Sequence, residues 1–228
     1  PNTTASAHWI SCKISFMLSI VKFPGLCSFS GIVIASIKAA SKIVFRLSGT
    51  IALIIPARYK SSRLPGKPLI KLNGVPMLVR TFNQCLKCVP KKKIIVATDD
   101  RRIIKLCNNE EIPTIITSKR CLTGTDRVAQ VAKKIKAKIY INVQGDEPLF
   151  SVIDLKKLII NAKKNPKEII NGYCKINDKK MFFSQNIPKV IFGPNGKLFY
   201  MSRAPIPNNK KNQFKKAWRQ VCAYSIPA

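Results

Sequence analysis

Carboxylates are scarce in this chain, whose 228 residues include ten Asp and Glu against 41 Lys and Arg and carry a formal charge of +31. Such an excess of positive charge is typical of proteins that bind nucleic acid or anionic membranes. Here, however, the lysines stand mostly singly and in pairs among Ile and Asn, and the sequence has no dense basic helix or arm. We therefore expect no specific nucleic-acid partner.

A second closely spaced cysteine pair and long apolar runs are missing as well. The eight cysteines are irregularly spaced, and the one CxxC, formed by Cys85 and Cys88, has no second pair to complete a zinc site. A chain of this length can be stabilised by its own core, so reduced thiols are favoured over a disulfide framework. No apolar stretch reaches the length of a stable membrane span. These absences favour a cytoplasmic protein.

The first 48 residues differ in composition from the rest. They contain no acidic residue, five basic ones and many Ser and Ala. Such a segment is typical of an organellar transit peptide or an imperfect membrane anchor, and upstream sequence read through into the chain would look the same. We predict that residues 1–48 form an N-terminal extension and that residues 49–228 form one domain.

From residue 50 onward, apolar runs alternate with helical patterns. The runs are IALII, KIIVAT, PTIIT and KIYINV, and each ends at a turn, a loop or a helical segment. One helix is predicted from the stripe Met77, Leu78, Phe82 and Leu86, and another from the capping-box spacing of Thr123 and Asp126. A hairpin is predicted around PNG in the second half. The pattern predicts a three-layer α/β/α sandwich, Rossmann-like, with a mixed and mostly parallel sheet.

A basic loop follows the first of these strands. The stretch PARYKSSRLPGKPL supplies Arg58, Lys60, Arg63 and Lys67 and contains no carboxylate. Ligands of such folds bind beyond the carboxyl ends of the strands, and a cationic loop there suits a polyphosphate. The glycine spacing is neither that of a Walker loop nor that of GxGxxG. A solvated basic loop is the alternative.

An acidic pair follows a later strand. Asp146 and Glu147 stand side by side in NVQGDEPL, directly after KIYINV. A carboxylate at a strand end is a suitable ligand for Mg²⁺, which would offset the repulsion between that carboxylate and a triphosphate. The alternative is that Asp-Glu-Pro simply begins a turn.

Taken together, five motifs in order resemble the sugar nucleotidyltransferases, and most nearly the 3-deoxy-manno-octulosonate (Kdo) cytidylyltransferase family. The motifs are IIPARYKSSRLPGKPLIKLNGVPML, IIVATDD, LTGTDRVAQV, YINVQGDEPL and LFYMSRAPIP, spread over residues 50–207. The resemblance implies a nucleotide-diphospho-sugar transferase-like fold. It also implies a cytoplasmic enzyme, typically dimeric, that uses Mg²⁺ to convert CTP and Kdo into CMP-Kdo and pyrophosphate for lipopolysaccharide biosynthesis.

The resemblance also assigns roles to individual residues. Arg58, Lys67 and Asp146 are the expected catalytic residues, Asp146 is the expected Mg²⁺ ligand, and Glu147 is expected to support it. Gln144 and Arg203 are expected to bind the sugar. The expected nucleotide-binding residues are Pro56, Ala57, Arg58, Arg63, Lys67 and Arg127.

Two departures from the family pattern leave alternatives open. Family members commonly continue with a His-x-Gly-x-Tyr stretch, whereas this chain has Gln220 in place of the His and Cys222 in place of the Gly. The substrate could therefore be Kdo, amino-Kdo, a sialic acid or another nonulosonic acid. The family also continues beyond the position of Ala228 with a segment that carries a second metal aspartate. We accordingly expect an incomplete copy of the domain, and an inactive remnant is a further alternative.

Overall fold

The computed structural model describes residues 19–21, 49–60 and 64–228, and strands and helices alternate along most of that part of the chain. The strands are β1 Ser19–Val21, β2 Gly49–Pro56, β3 Lys71–Leu72, β4 Val75–Pro76, β5 Ile94–Thr98, β6 Thr114–Ile116, β7 Ala137–Val143, β8 Ile169–Ile176, β9 Lys189–Phe192, β10 Leu198–Ser202 and β11 Ala217–Pro227. The helices are α1 Met77–Leu86, α2 Arg101–Asn109, α3 Gly124–Ala132, α4 Val152–Lys164 and α5 Lys179–Phe183.

One mixed sheet of nine strands organises the described residues, in the order β1-β8-β11-β7-β2-β5-β6, with β9 pairing with β11 and β10 pairing with β9. Strands β7, β2, β5 and β6 are parallel neighbours, and β11 lies antiparallel between β7 and β8. Six of these nine strands, β2 and β5 to β9, therefore run in one direction. This confirms the prediction of a mixed, mostly parallel sheet.

The central strands are buried on both faces because their side chains alternate between two helical layers. In β2, Leu53 and Ile55 pack in one core with residues of α1, α2 and α4. Ala52 and Ile54 point the other way and pack against α3. Each fully buried Ile or Leu side chain contributes about 1.5 to 3 kcal/mol to the free energy of unfolding. The three-layer sandwich predicted from the apolar runs is confirmed.

The buried face of α1 differs from the predicted stripe in one residue. Leu78 and Phe82 are buried as expected, but Leu86 is exposed and Cys85 is buried in its place. At 3.6 residues per turn, the inward face moves from Phe82 to a residue three positions on. Burial raises the pKa of the Cys85 thiol to about 12. Cys85 and Cys88 are free thiols, and Cys85 is part of the core.

Two local predictions are confirmed by the hydrogen bonds. Thr123 and Asp126 form a reciprocal capping box at the start of α3. The hairpin around PNG joins β9 to β10, and the backbone N–H of Gly193 donates to the carbonyl of Lys197 across the turn.

Of the predicted N-terminal extension, the structure describes Ser19–Val21. This strand pairs antiparallel with residues 169–171, the first residues of β8. The nature of the extension stays a prediction. Among the described residues, no helix combines the length and apolarity needed to cross a bilayer.

Candidate active site

The carboxyl ends of β2, β5 and β7 meet at one edge of the sheet, where two neighbouring cavities of about 540 and 280 Å³ open. Both cavities are lined by Pro56, Ala57, Arg58 and Gln144, and so they form one continuous cleft. The larger cavity adds residues of the basic loop and of the turn after β7 that carries Asp146 and Glu147, here called the acidic turn. The smaller cavity adds residues at the start of α3. The combined volume is in the range of small-molecule sites.

The basic loop is held in shape by three residues that the motif alone does not connect. The guanidinium of Arg102 lies 3.2 Å from the ring centroid of Tyr59. The N–H of Gly66 donates to the carbonyl of Tyr59 at 2.8 Å. Gly66 has φ +71°, a backbone conformation that strains other residues, and a Cβ there would lie 3.0 Å from the Tyr59 ring, so glycine is favoured for two reasons. This turn delivers Lys67 into the larger cavity. Arg63 lies outside the described residues, and its role stays a prediction.

The basic loop and the acidic turn meet at an ion pair. Lys67 Nζ lies 2.6 Å from Asp146 Oδ2, and both residues line the larger cavity. The turn that carries Asp146 is pinned to the end of β2, because the N–H of Gly145 donates to the carbonyl of Pro56. A Cβ on Gly145 would lie 3.0 Å from that carbonyl oxygen, so the acidic turn and the end of β2 could not approach as closely with any other residue at this position.

Glu147 lies behind Asp146 and is partly buried. Burial, and then the charge of Asp146, raise the pKa of Glu147, while Arg219 and Lys67 act in the opposite direction. The same two carboxylates, after burial, raise the pKa of the Cys222 thiol. The acidic turn is therefore under the influence of two cations, Lys67 of the basic loop, which contacts Asp146, and Arg219 of β11.

The residues present fit a magnesium ion bound through few protein ligands. The side chain of Asp146 is 41% exposed and faces the larger cavity. Across the residues that the structure describes, no group of three His, Cys, Asp or Glu side chains could hold a metal. Mg²⁺ in nucleotide sites commonly takes one or two carboxylates and completes its shell with phosphate and water oxygens. Asp146, with Glu147 beside it, supplies that kind of ligand.

The smaller cavity is built around a buried ion pair. Arg127 is 4% exposed, and its guanidinium contacts Asp99 at 2.9 Å and donates to Thr117 Oγ1 at 2.6 Å. Arg127 is one of the nucleotide-binding residues that the family resemblance implies, and it lines this cavity; its role stays a prediction. Asp99 was not predicted. Its place directly after β5 was the available signal, since parallel strands end at one edge.

The capping box makes the start of α3 sensitive to acid. The N–H of Thr123 donates to Asp126 at 2.8 Å, and this hydrogen bond is the main cause that holds the pKa of Asp126 below its ordinary 3.8. A lowered pKa means that the stabilisation is complete above pH 3.8 and is lost as the pH falls below it. Asp126→Ala should lower the free energy of unfolding by about 1 kcal/mol at pH 7, because it removes one half of the capping box.

This difference should shrink as the pH approaches 3, and urea unfolding of wild type and variant at pH 7, 5 and 3 would measure it. Glu110→Ala is the control, because Glu110 is exposed at the end of α2 and its side chain caps nothing in the described region. A difference for Asp126→Ala that stays constant with pH would contradict the prediction.

The two predicted sugar residues lie in different places. Gln144 lines both cavities. Arg203 follows β10, does not line either cavity, and donates to the carbonyl of Gln185 at 3.0 Å. Its charge nevertheless acts to lower the pKa of the Cys222 thiol, and Cys222 lines the larger cavity. The sugar-binding roles of Gln144 and Arg203 stay predictions. Leu64 and Pro68 also line the larger cavity and were not predicted.

Comparison with known proteins defines the class to which the protein belongs. The profile of the cytidylyltransferase family matches residues 52–224, which include every described residue of the cleft, and the chain belongs to this family. Its relatives include the 3-deoxy-manno-octulosonate cytidylyltransferases of Trichlorobacter lovleyi, 42% identical over 173 residues, and of Vesicomyosocius okutanii, 38% identical over 159 residues.

These matches cover 75% and 68% of this chain, and 66% and 65% of the respective relatives, so the chain spans about two thirds of their length. A solved structure of a CMP:2-keto-3-deoxy-manno-octonic acid synthetase in complex with CTP superposes with a TM-score of 0.72. It is 31% identical in sequence, and the superposition covers 78% of this chain and 74% of that one.

Proposed function

We propose that the protein is a cytidylyltransferase that activates 3-deoxy-manno-octulosonate with CTP, releasing pyrophosphate. The anomeric hydroxyl oxygen of the sugar acid forms a bond to the α-phosphorus, the bond from that phosphorus to the pyrophosphate breaks, and the hydroxyl proton passes to solvent. The observation that carries the proposal is the contact between Lys67 and Asp146 at the centre of a cleft in a chain of this family.

The cleft offers the groups that this reaction needs. Negative charge on the phosphoryl oxygens increases in the transition state, so catalysis depends mostly on positioning and charge neutralisation. Lys67 would neutralise the leaving pyrophosphate and Arg58 the α- or β-phosphate, since both cations face the larger cavity. Asp146, with Glu147 in support, would hold Mg²⁺, which would supply positive charge to offset the charge of the phosphates. The smaller cavity, with Arg127, would take the cytosine.

Pyrophosphate release is the direct test. With CTP, Mg²⁺ and Kdo together, the protein is expected to release pyrophosphate, and omission of Kdo or replacement of CTP by ATP should remove the signal. Asp146→Asn should reduce the rate by at least about a hundredfold, as expected when a metal ligand and the geometry it fixes are lost. Asp178→Asn, at the start of α5, is the matched control. An unchanged rate in Asp146→Asn would contradict the site assignment.

The same assay decides between acid sugars. A panel of Kdo, amino-Kdo and N-acetylneuraminic acid is expected to show the highest rate with Kdo, because the relatives of 35 to 42% identity are Kdo enzymes. Binding of cytidine and adenosine nucleotides with equal affinity, and no response to any sugar, would favour an inactive remnant. The proposed setting is cytoplasmic synthesis of a lipopolysaccharide precursor, and a homodimer stays a prediction.

A further inference from the structure

Two neighbouring carboxylates follow β5 and have different partners. Asp99 pairs with Arg127 of the smaller cavity. Asp100 pairs with Arg102 in the first turn of α2, where its Oδ1 accepts from Nε at 2.9 Å and its Oδ2 accepts from Nη2 at 2.8 Å. Asp100 also caps α2, because Oδ1 accepts from the backbone N–H of Arg102. This bidentate pair holds the guanidinium in one orientation, although 58% of the Arg102 side chain is exposed.

The oriented guanidinium covers an aromatic ring of the basic loop. Its central carbon lies 3.2 Å from the ring centroid of Tyr59. A planar guanidinium can stack on a ring in this way while its N–H groups stay bound to a carboxylate. Tyr59 is partly buried and packs against the core that contains residues of α2, and α2 also lies close to the turn Lys67–Leu69. The start of α2 therefore supports the basic loop.

Tyr59 and Gly66 join the two ends of the basic loop. The N–H of Gly66 donates to the carbonyl of Tyr59 at 2.8 Å, and the edge of the Tyr59 ring lies against Gly66. Arg58 directly precedes Tyr59 in the chain. Lys67 directly follows Gly66, and like Arg58 it lines the larger cavity. The contact between Tyr59 and Gly66 therefore sets the spacing of the two cations that would bind the triphosphate.

Electrostatic repulsion within the basic loop makes such a support useful. The loop carries four cations and no carboxylate, so the repulsion among them favours a more open loop. Cations that must be gathered when the nucleotide arrives bind it less tightly than cations already in place, because the cost of ordering them reduces the affinity. Arg102 supports the loop without adding repulsion, since Asp100 neutralises its charge, and it lines neither cavity.

We propose that Arg102 is a positioning residue for the triphosphate of CTP and acts through Tyr59. Oriented by Asp100, it holds the basic loop so that Arg58 and Lys67 are in place before CTP binds. The proposal rests on the proposed function and deepens it, because it gives the start of α2 a part in recognising the triphosphate. The alternative is that Arg102 only stabilises the start of α2, in which case its replacement would lower the stability and leave the affinity for CTP unchanged.

Calorimetry with CTP and with CMP, both in the presence of Mg²⁺, tests this assignment on the full chain. Arg102→Ala should weaken the binding of CTP about three- to fivefold, as expected for the loss of one exposed stack of a cation on a ring. The affinity for CMP should change by less than about twofold, because CMP lacks the two phosphates that Lys67 would contact. Arg101→Ala is the matched control, since it removes an equal charge from the neighbouring exposed position of α2. It should change neither affinity by more than about twofold.

A double variant shows whether Arg102 acts through Tyr59. Tyr59→Leu keeps an apolar side chain against the core but removes the ring, and it should weaken the binding of CTP at least as much as Arg102→Ala does. Adding Arg102→Ala to Tyr59→Leu should then cause a further loss of less than about twofold. A residue with a merely structural role would not produce this dependence of one loss on the other.

The outcomes separate the inference from the proposed function. If Arg102→Ala binds CTP as tightly as the wild type, or loses affinity for CTP and CMP by the same factor, the inference is wrong and the proposed function stands. If the losses of the two single variants multiply in the double variant, Arg102 does not act through Tyr59 and the inference is again wrong. If the wild type binds CTP no more tightly than ATP, the proposed function is wrong and the inference falls with it.

Discussion

Replacing Lys67 with methionine is expected to weaken the binding of CTP in the presence of Mg²⁺ by about 10- to 100-fold, and at the same time to strengthen the binding of the metal alone. The first effect follows because a hydrogen bond between charged groups contributes about 1.5 to 3 kcal/mol. The second follows because the Lys67 ammonium lies 2.6 Å from the Asp146 oxygen that a cation would need. Without nucleotide, we therefore expect Lys67 and a divalent ion to compete for one carboxylate.

Calorimetry with CTP and Mg²⁺ measures the first effect, and the paramagnetic signal of Mn²⁺ titrated without nucleotide measures the second. Methionine preserves most of the volume and the flexible stem of lysine while removing its charge. Lys71→Met is the matched control, because Lys71 is exposed on β3 and does not line either cavity. A loss of affinity for both ligands would mean that Lys67 supports the shape of the turn and does not compete with metal.

The parts of the fold that were predicted correctly depend on local periodicity. Runs of Val and Ile gave β2, β5, β6 and β7, and the spacing of Thr123 and Asp126 gave the start of α3. The meeting of Lys67 with Asp146 followed from one further rule, that parallel strands bring their carboxyl ends to the same edge. Motifs 79 residues apart in sequence are therefore neighbours in the cleft.

The parts that were not predicted depend on long-range placement. No local pattern indicates that β11 inserts between β7 and β8, or that a register shift occurs between Gln220 and Tyr224. The partner of Arg127 was missed for the same reason, since Asp99 follows a different strand. The exposed Leu86 and buried Cys85 show a smaller limit, because the inward face of a helix depends on the layer it meets.

Replacing Asp99 with alanine is expected to lower the free energy of unfolding by about 3 kcal/mol, which for a domain of this size lowers the melting temperature by roughly 6 to 12 °C. The side chain of Arg127 is 5% exposed, so its charge would remain buried with Thr117 as its hydrogen-bond partner. Removal of one member of a buried ion pair costs more than the pair contributes, because the remaining charge is not solvated.

The double variant Asp99→Ala with Arg127→Met separates stability from binding. It should recover at least about 1 kcal/mol of the free energy of unfolding relative to Asp99→Ala, since no buried charge is left. Its affinity for CTP is expected to be lower than that of the wild type, because the guanidinium that lines the smaller cavity is gone. Lys91→Ala, which breaks the exposed pair with Glu111, should change stability by less than about 0.5 kcal/mol. If the double variant is less stable than Asp99→Ala, Arg127 stabilises the fold through packing, and the buried charge is not what Asp99 compensates.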